Sequence, residues 1–114
     1  MHKTHSRLNA YHIMWLFVFY DLPTNTAKER KAFAKFRKKL MKDGFGMMQY
    51  SVYIRHCPSK ENADVHVKRV KSILPDAGQV SILMVTDKQY GKILNFWGNK
   101  KSPIPESPQQ LELF

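Results

Sequence analysis

"IMWLFVFYD", Ile13 to Asp21, decides the fold. Ile13, Trp15, Phe17 and Phe19 alternate with Met14, Leu16, Val18 and Tyr20, and both sets are apolar. Successive side chains of a strand point to opposite faces, so this run reads as a central strand with neither face in water. It is far too short to span a bilayer as a helix. It is aromatic-heavy, lacks a small-residue cleavage site and ends at once on a charge, unlike a signal peptide. Asp21 closes the run, and Pro23 turns the chain.

Elements of alternating type follow. Ala27 to Asp43 has helical periodicity, with Phe33, Phe36 and Leu40 as the core stripe. Thr26 and Glu29 have capping-box spacing, and Gly44 can close the other end. "FGMMQYSVYIRHC", Phe45 to Cys57, is rich in extended-favouring residues and long enough for one bent strand or two strands with a tight turn. Pro58 and Ser59 begin a second helix whose apolar face is Ala63, Val67, Val70 and Leu74, and Pro75 stops it. "QVSILMVT", Gln79 to Thr86, is another strand, and "KILNFW", Lys92 to Trp97, a shorter one. "SPIPESP", Ser102 to Pro108, is a stiff linker.

Splitting the middle segment gives βαββαβ, the ferredoxin-like α+β sandwich, with extra C-terminal strand character. The expected organisation is a basic extension over 1–12, the domain over 13–98, and a linker with a terminal strand or tail over 99–114. Two helices cover only one face of such a sheet. The first strand is apolar on both, so a second copy of the chain, packed sheet to sheet, is expected on the other face.

Composition narrows the function. A chain of 114 residues makes one domain with one core. Nineteen Lys and Arg against nine Asp and Glu leave a net charge of +10, which points to a polyanionic partner. The lone cysteine, Cys57, cannot form an internal disulfide, which fits a reducing, cytoplasmic setting. His2, His5 and His12 carry metal-ligating side chains, but histidines scattered through a terminus usually bind nothing specific.

Within the first helix, Lys28, Lys31, Lys35, Lys38, Lys39 and Lys42 fall in an arc of about 100° nearly opposite the core stripe. Arg30 and Arg37 flank its buried edge. Glu29 is the only acid from Lys28 to Lys42. Such a row suits phosphate contact without base reading. Arg55, Lys68, Arg69 and Lys71 extend it.

"FVFYDLPTNTAKER" followed by "GFGMMQYSVYIRHC" resembles the CRISPR-associated adaptation protein number two family, the small partner of the CRISPR integrase. The shared pattern is an apolar strand ending in Asp, a basic helix and a strand carrying Gln49, Ser51, Val52 and Tyr53; it runs from about Met14 to Trp97. The resemblance implies a ferredoxin-like homodimer that bridges integrase dimers and duplex DNA during spacer acquisition. It also implies Mg²⁺-dependent endonuclease activity, on RNA or DNA, in some members. The family's metal-binding Asp maps onto Asp21, and its following basic pair onto Lys28 and Arg30.

Two readings of Asp21 stand. It is an ordinary turn starter at a strand end, or two copies meet across a two-fold axis and share one Mg²⁺ that activates water at a phosphate. His56 is the candidate proton-transfer group. A non-catalytic RNA-binding module is the reading from another class, although "QYSVYIRH" lacks the Gly-aromatic-Gly-Phe pattern of such modules. "QLELF" raises a separate choice. Gln110, Leu111, Leu113 and Phe114 match a peptide that docks on the replication sliding clamp, or they form a last strand that pairs with a sheet edge.

Overall fold

The computed structural model describes residues 13–107. The opening run forms β1 (Met14–Asp21), which lies between β3 (Val52–Cys57) and β4 (Gln79–Thr86), antiparallel to both. β2 (Gly46–Gln49) pairs antiparallel with the far side of β3, so the sheet order is β2-β3-β1-β4. The middle segment is therefore two strands. Their turn passes through Ser51, a non-glycine residue at φ 64°. The order β-α-β-β-α-β and this strand sequence are the ferredoxin-like plan.

The two long helices are α1 (Ala27–Lys42) and α2 (Lys60–Ser72). At the start of α1 the Thr26 hydroxyl accepts from Glu29 N–H at 3.1 Å, and the Glu29 carboxylate accepts from Thr26 N–H at 2.9 Å. Ser59 caps α2 by accepting from Asn62 N–H at 3.0 Å. These capping bonds, reciprocal at Thr26 and one-way at Ser59, satisfy donors that a helix start otherwise leaves to water.

Both helices cover the sheet face that carries Leu16, Val18, Tyr20, Tyr53 and Cys57. Phe36, Leu40, Ala63 and Val70 close the core from above. Leu16, Val18 and Leu40 are fully buried, and truncating such a side chain costs about 2–5 kcal/mol. Leu74, read as part of the α2 core face, is instead about half exposed beyond the helix end, while His66 is buried there.

On the far face the register aligns Trp15 with His56 and Val85, Phe17 with Ile54 and Leu83, and Phe19 with Val52 and Ser81. The chain covers one half of this face itself. A short helix, α3 (Asp87–Tyr90), lays Tyr90 flat on Trp15, with ring centroids 3.7 Å apart and planes 7° from parallel. Ile93 and Ile104 pack on the same cluster. Trp15 Nε1 donates to Asp87 Oδ1 at 2.7 Å, and Tyr90 OH donates to the Pro105 carbonyl at 2.6 Å. At the other end Phe19 (37%) and Leu83 (47%) remain exposed. Among the described residues, the apolar far face is thus covered over only half its length.

The strand expected over Lys92 to Trp97 is confined to β5 (Asn95–Trp97), because it is paired only where β6 (Lys100–Ser102) lies beside it. This hairpin crosses the boundary drawn at 98/99. Among the described residues no helix is long and apolar enough to cross a membrane.

Candidate nucleic-acid and metal site

Asp21 is the last residue of β1, exposed, and directly opposite Gln79 of β4. By strand alternation it stands on the far face with Phe19, on the half left uncovered. Three features hold it there. Leu22, the next residue, is buried and anchors the chain as it leaves the sheet. Gly78, at φ 93°, backs directly onto it: a Cβ at this position would sit 2.7 Å from the Asp21 carbonyl oxygen and 2.7 Å from Leu22 Cδ2. Tyr20 N–H donates to the Ser51 carbonyl at 3.1 Å, which ties the end of β1 to the β2–β3 turn.

The result is a shallow hollow of about 280 Å³ lined by Asp21, Tyr50, Ser51, Gln79 and Ser81, with Phe19 at its wall. Its donors are one carboxylate, hydroxyls and an amide. In kind this set fits a hard, oxygen-seeking cation such as Mg²⁺ rather than zinc. In number one chain supplies a single carboxylate. Among the described residues no group of three or more His, Cys, Asp or Glu side chains could hold a metal. The other acids near α1 are engaged: Glu29 caps its start, and Asp43 binds His66 and Arg69.

Lys28 is exposed on the first turn of α1 and borders the groove formed by Leu22, Pro23 and Phe33. Arg30 lies close by, but its Nη1 donates to the carbonyls of Thr24 at 3.2 Å and Asn25 at 3.1 Å, bracing the loop that leaves Asp21. Lys31, Lys35, Lys38, Lys39 and Lys42 are all exposed along the same helix. Arg37 Nε donates to Tyr53 OH at 2.7 Å, and this bond raises the guanidinium pKa further above its ordinary value. Tyr53 in turn stacks on Tyr20, whose phenol is pushed up chiefly by burial.

Arg55 differs from the lysines. Its Nε donates to the Asp43 carbonyl at 2.8 Å and its Nη1 to the His56 carbonyl at 2.9 Å. The guanidinium is thereby held against the C-terminal end of α1. On α2, Lys68, Arg69 and Lys71 are exposed, with Arg69 Nη1 bonded to Asp43 Oδ1 at 2.9 Å.

His56 does not join Asp21. It pairs with Trp15, six residues back along β1, so about 20 Å separates the two positions. Its ring meets Trp15 edge-on at 5.1 Å, and burial lowers its pKa. This corrects its reading as a proton-transfer group for Asp21. The aromatic-platform reading is also narrowed: Phe17 and Tyr53 are buried, while Phe19 and Tyr50 are exposed, with Tyr50 stacked on Phe33 at 6.0 Å. Gln110, Leu111, Leu113 and Phe114, and His2, His5 and His12, lie outside the described residues.

Sequence reasoning missed the Asp43–His66–Arg69 cluster. His66 Nδ1 lies 2.7 Å from Asp43 Oδ2, joining the end of α1 to the middle of α2. Burial pushes the Asp43 carboxyl up, but hydrogen bonds from His66 and Arg69 outweigh it and hold the pKa below its ordinary value. The signal was available: His66 falls three residues after Ala63 and four before Val70, on the apolar face.

Residues 14–93 match the family described as CRISPR associated protein Cas2. A Flavobacterium psychrophilum protein named CRISPR-associated endoribonuclease Cas2 is 51% identical over 110 residues, covering 96% of this chain and 96% of that one. A protein of the same name from Parvibaculum lavamentivorans is 55% identical over 101 residues, covering 89% of this chain and 100% of its own. A solved structure described as a crystal structure of cas2 superposes with TM-score 0.55 at 24% identity, covering 83% of this chain and 98% of that one, which supports the fold.

Proposed function

The chain belongs to the CRISPR-associated Cas2 family, and we propose from that premise that it acts in CRISPR spacer acquisition as a homodimer. The dimer holds duplex DNA and bridges integrase dimers. One observation carries this reading: Asp21 stands on the same uncovered half-face as Phe19 and Leu83. A second copy seated there buries the apolar side chains and brings two Asp21 carboxylates towards one axis.

The duplex is held by charge. Lys28, Lys31, Lys35, Lys38, Lys39 and Lys42 line the exposed side of α1, and a flexible ammonium row follows a phosphate backbone without reading bases. Arg37, on the flank of the helix rather than in the row, is held by Tyr53 and adds one positioned cation beside it.

A second activity, endonucleolytic cleavage, is favoured by the oxygen-rich hollow at Asp21. Similar proteins are named endoribonucleases, which sets RNA beside DNA as a substrate. The two Asp21 carboxylates, one from each copy, would hold Mg²⁺, which would supply an activated water and neutralise phosphate charge. Lys28 attracts the phosphate, and Arg30 keeps the Asp21 loop in position.

Size-exclusion chromatography with the integrase and a spacer-length duplex tests the first activity. Co-elution of all three is expected, and elution of the protein alone would overturn it. For the second, Asp21→Asn abolishes Mg²⁺-dependent cleavage while the dimer persists; cleavage surviving in that variant refutes the assignment.

A further inference from the structure

The β5–β6 hairpin lies beyond the segment matched to the family, which ends at residue 93. Its two strands bring together an unusual set of side chains. Trp97 is paired with Lys100, and Phe96 with Lys101. Cross-strand partners share a face and neighbouring positions alternate, so each face of the ribbon carries one aromatic ring beside one lysine. Trp97 is 85% exposed and Phe96 53%. From Gly91 to Pro105 the chain carries Lys92, Lys100 and Lys101 and no acid.

The hairpin is built to hold these rings out. Gly98, at φ 62°, takes the first position of the two-residue turn, where a type II′ connection favours glycine. Asn95 Nδ2 donates to Ser102 Oγ at 3.0 Å and to the Pro103 carbonyl at 3.3 Å, closing the base. Below it, Ile93 and Ile104 are seated on the Trp15–Tyr90 stack. The rings are therefore presented on an anchored support.

We propose that this hairpin is a stacking platform for unpaired nucleotides, separate from the lysine row of α1. Every base has a π-face that an exposed indole or phenyl ring can cover, and the adjoining lysines meet the phosphates. A duplex hides those faces except at its ends, so the platform selects single strands or frayed termini. A second copy of the chain is the competing occupant. The hairpin's own charge favours nucleic acid: Lys92, Lys100 and Lys101 stand with no acid among them, and a polyanion is complementary to that set. The proposal depends neither on Asp21 nor on dimer formation.

The two tryptophans make the test direct, because Trp15 is buried and Trp97 is not. Full-length protein is titrated in about 50 mM salt with a short oligothymidylate or a blunt duplex of the same nucleotide content. Oligothymidylate quenches Trp97 emission and shields it from acrylamide. Trp97→Ala weakens oligothymidylate binding by roughly ten-fold or more, Trp97→Phe retains most of it, and blunt-duplex binding changes less than about two-fold. Equal loss on both nucleic acids, or no loss on either, overturns the proposal. So does a Trp97 already inaccessible to acrylamide in the free protein, which would place a second copy or another part of the chain on the hairpin.

Discussion

Asp43→Ala tests whether the two helices are joined by the cluster at Asp43. His66 is 4% exposed, and its Nδ1 loses its partner with nothing to replace it. Leaving a buried polar group unsatisfied costs about 1–3 kcal/mol. Arg69 is 61% exposed and returns to water, so its share is under about 1 kcal/mol. Against this, removing a negative charge from the C-terminal end of α1 returns about 0.3–1 kcal/mol. The net is a loss of about 2 kcal/mol, or roughly 8–15 °C in Tm. Asp43→Asn keeps one neutral acceptor and loses about half as much. Because the folded-state pKa of Asp43 is lowered, the stabilisation is complete above the unfolded value near pH 3.9 and fades as pH falls through the folded one. Urea unfolding at one protein concentration, at pH 7 and near pH 3, reads both effects. A difference within about 0.5 kcal/mol at pH 7, or the same difference at both pH values, refutes the reasoning.

Other perturbations separate the remaining elements. Leu83→Glu places like charges on the uncovered half-face; light scattering should report a monomer with unchanged circular dichroism. Gly78→Ala drives a Cβ into the Asp21 carbonyl and Leu22 at a left-handed backbone position. It should cost at least about 1–2 kcal/mol and reduce Asp21-dependent cleavage, with duplex affinity largely kept. Tyr90→Phe removes the bond to Pro105 and costs about 1 kcal/mol in thermal unfolding. Burial raises the Tyr90 pKa to about 12, so its contribution is complete below about pH 10 and lost as pH rises through the folded value; ultraviolet titration of the variant should lack that late phenol.

The parts of the fold legible in the sequence are those where one local pattern has one physical meaning. The doubly apolar run of β1, the Thr26–Glu29 cap and the uninterrupted Gln79–Thr86 strand each appear where expected. The turn at Ser51 was less legible, since a serine at positive φ carries no glycine signal and left one bent strand as an equal alternative. Self-coverage by α3 and Ile104 was not legible at all. It depends on a short segment folding back over Trp15, and four helical residues leave almost no periodicity. At the candidate site, Asp21 and the lysine row could be read from spacing. The tethering of Arg55 could not, because it is set by the Asp43 carbonyl, a backbone group that no side-chain pattern reveals.

The two margins of the sheet are unequal. β2 is four residues long and irregular in register between Met47 and Gln49, whereas β4 is eight residues long, uncharged and without proline, and its pairing with β1 is continuous. Natural sheets discourage unwanted growth with short, kinked or charged borders, and among the described residues only the β2 side has such protection. Handling failures such as precipitation on concentration should begin at β4. A lysine in place of the exposed Ser81 should keep the protein in solution, at the expense of the Asp21 hollow that Ser81 also lines.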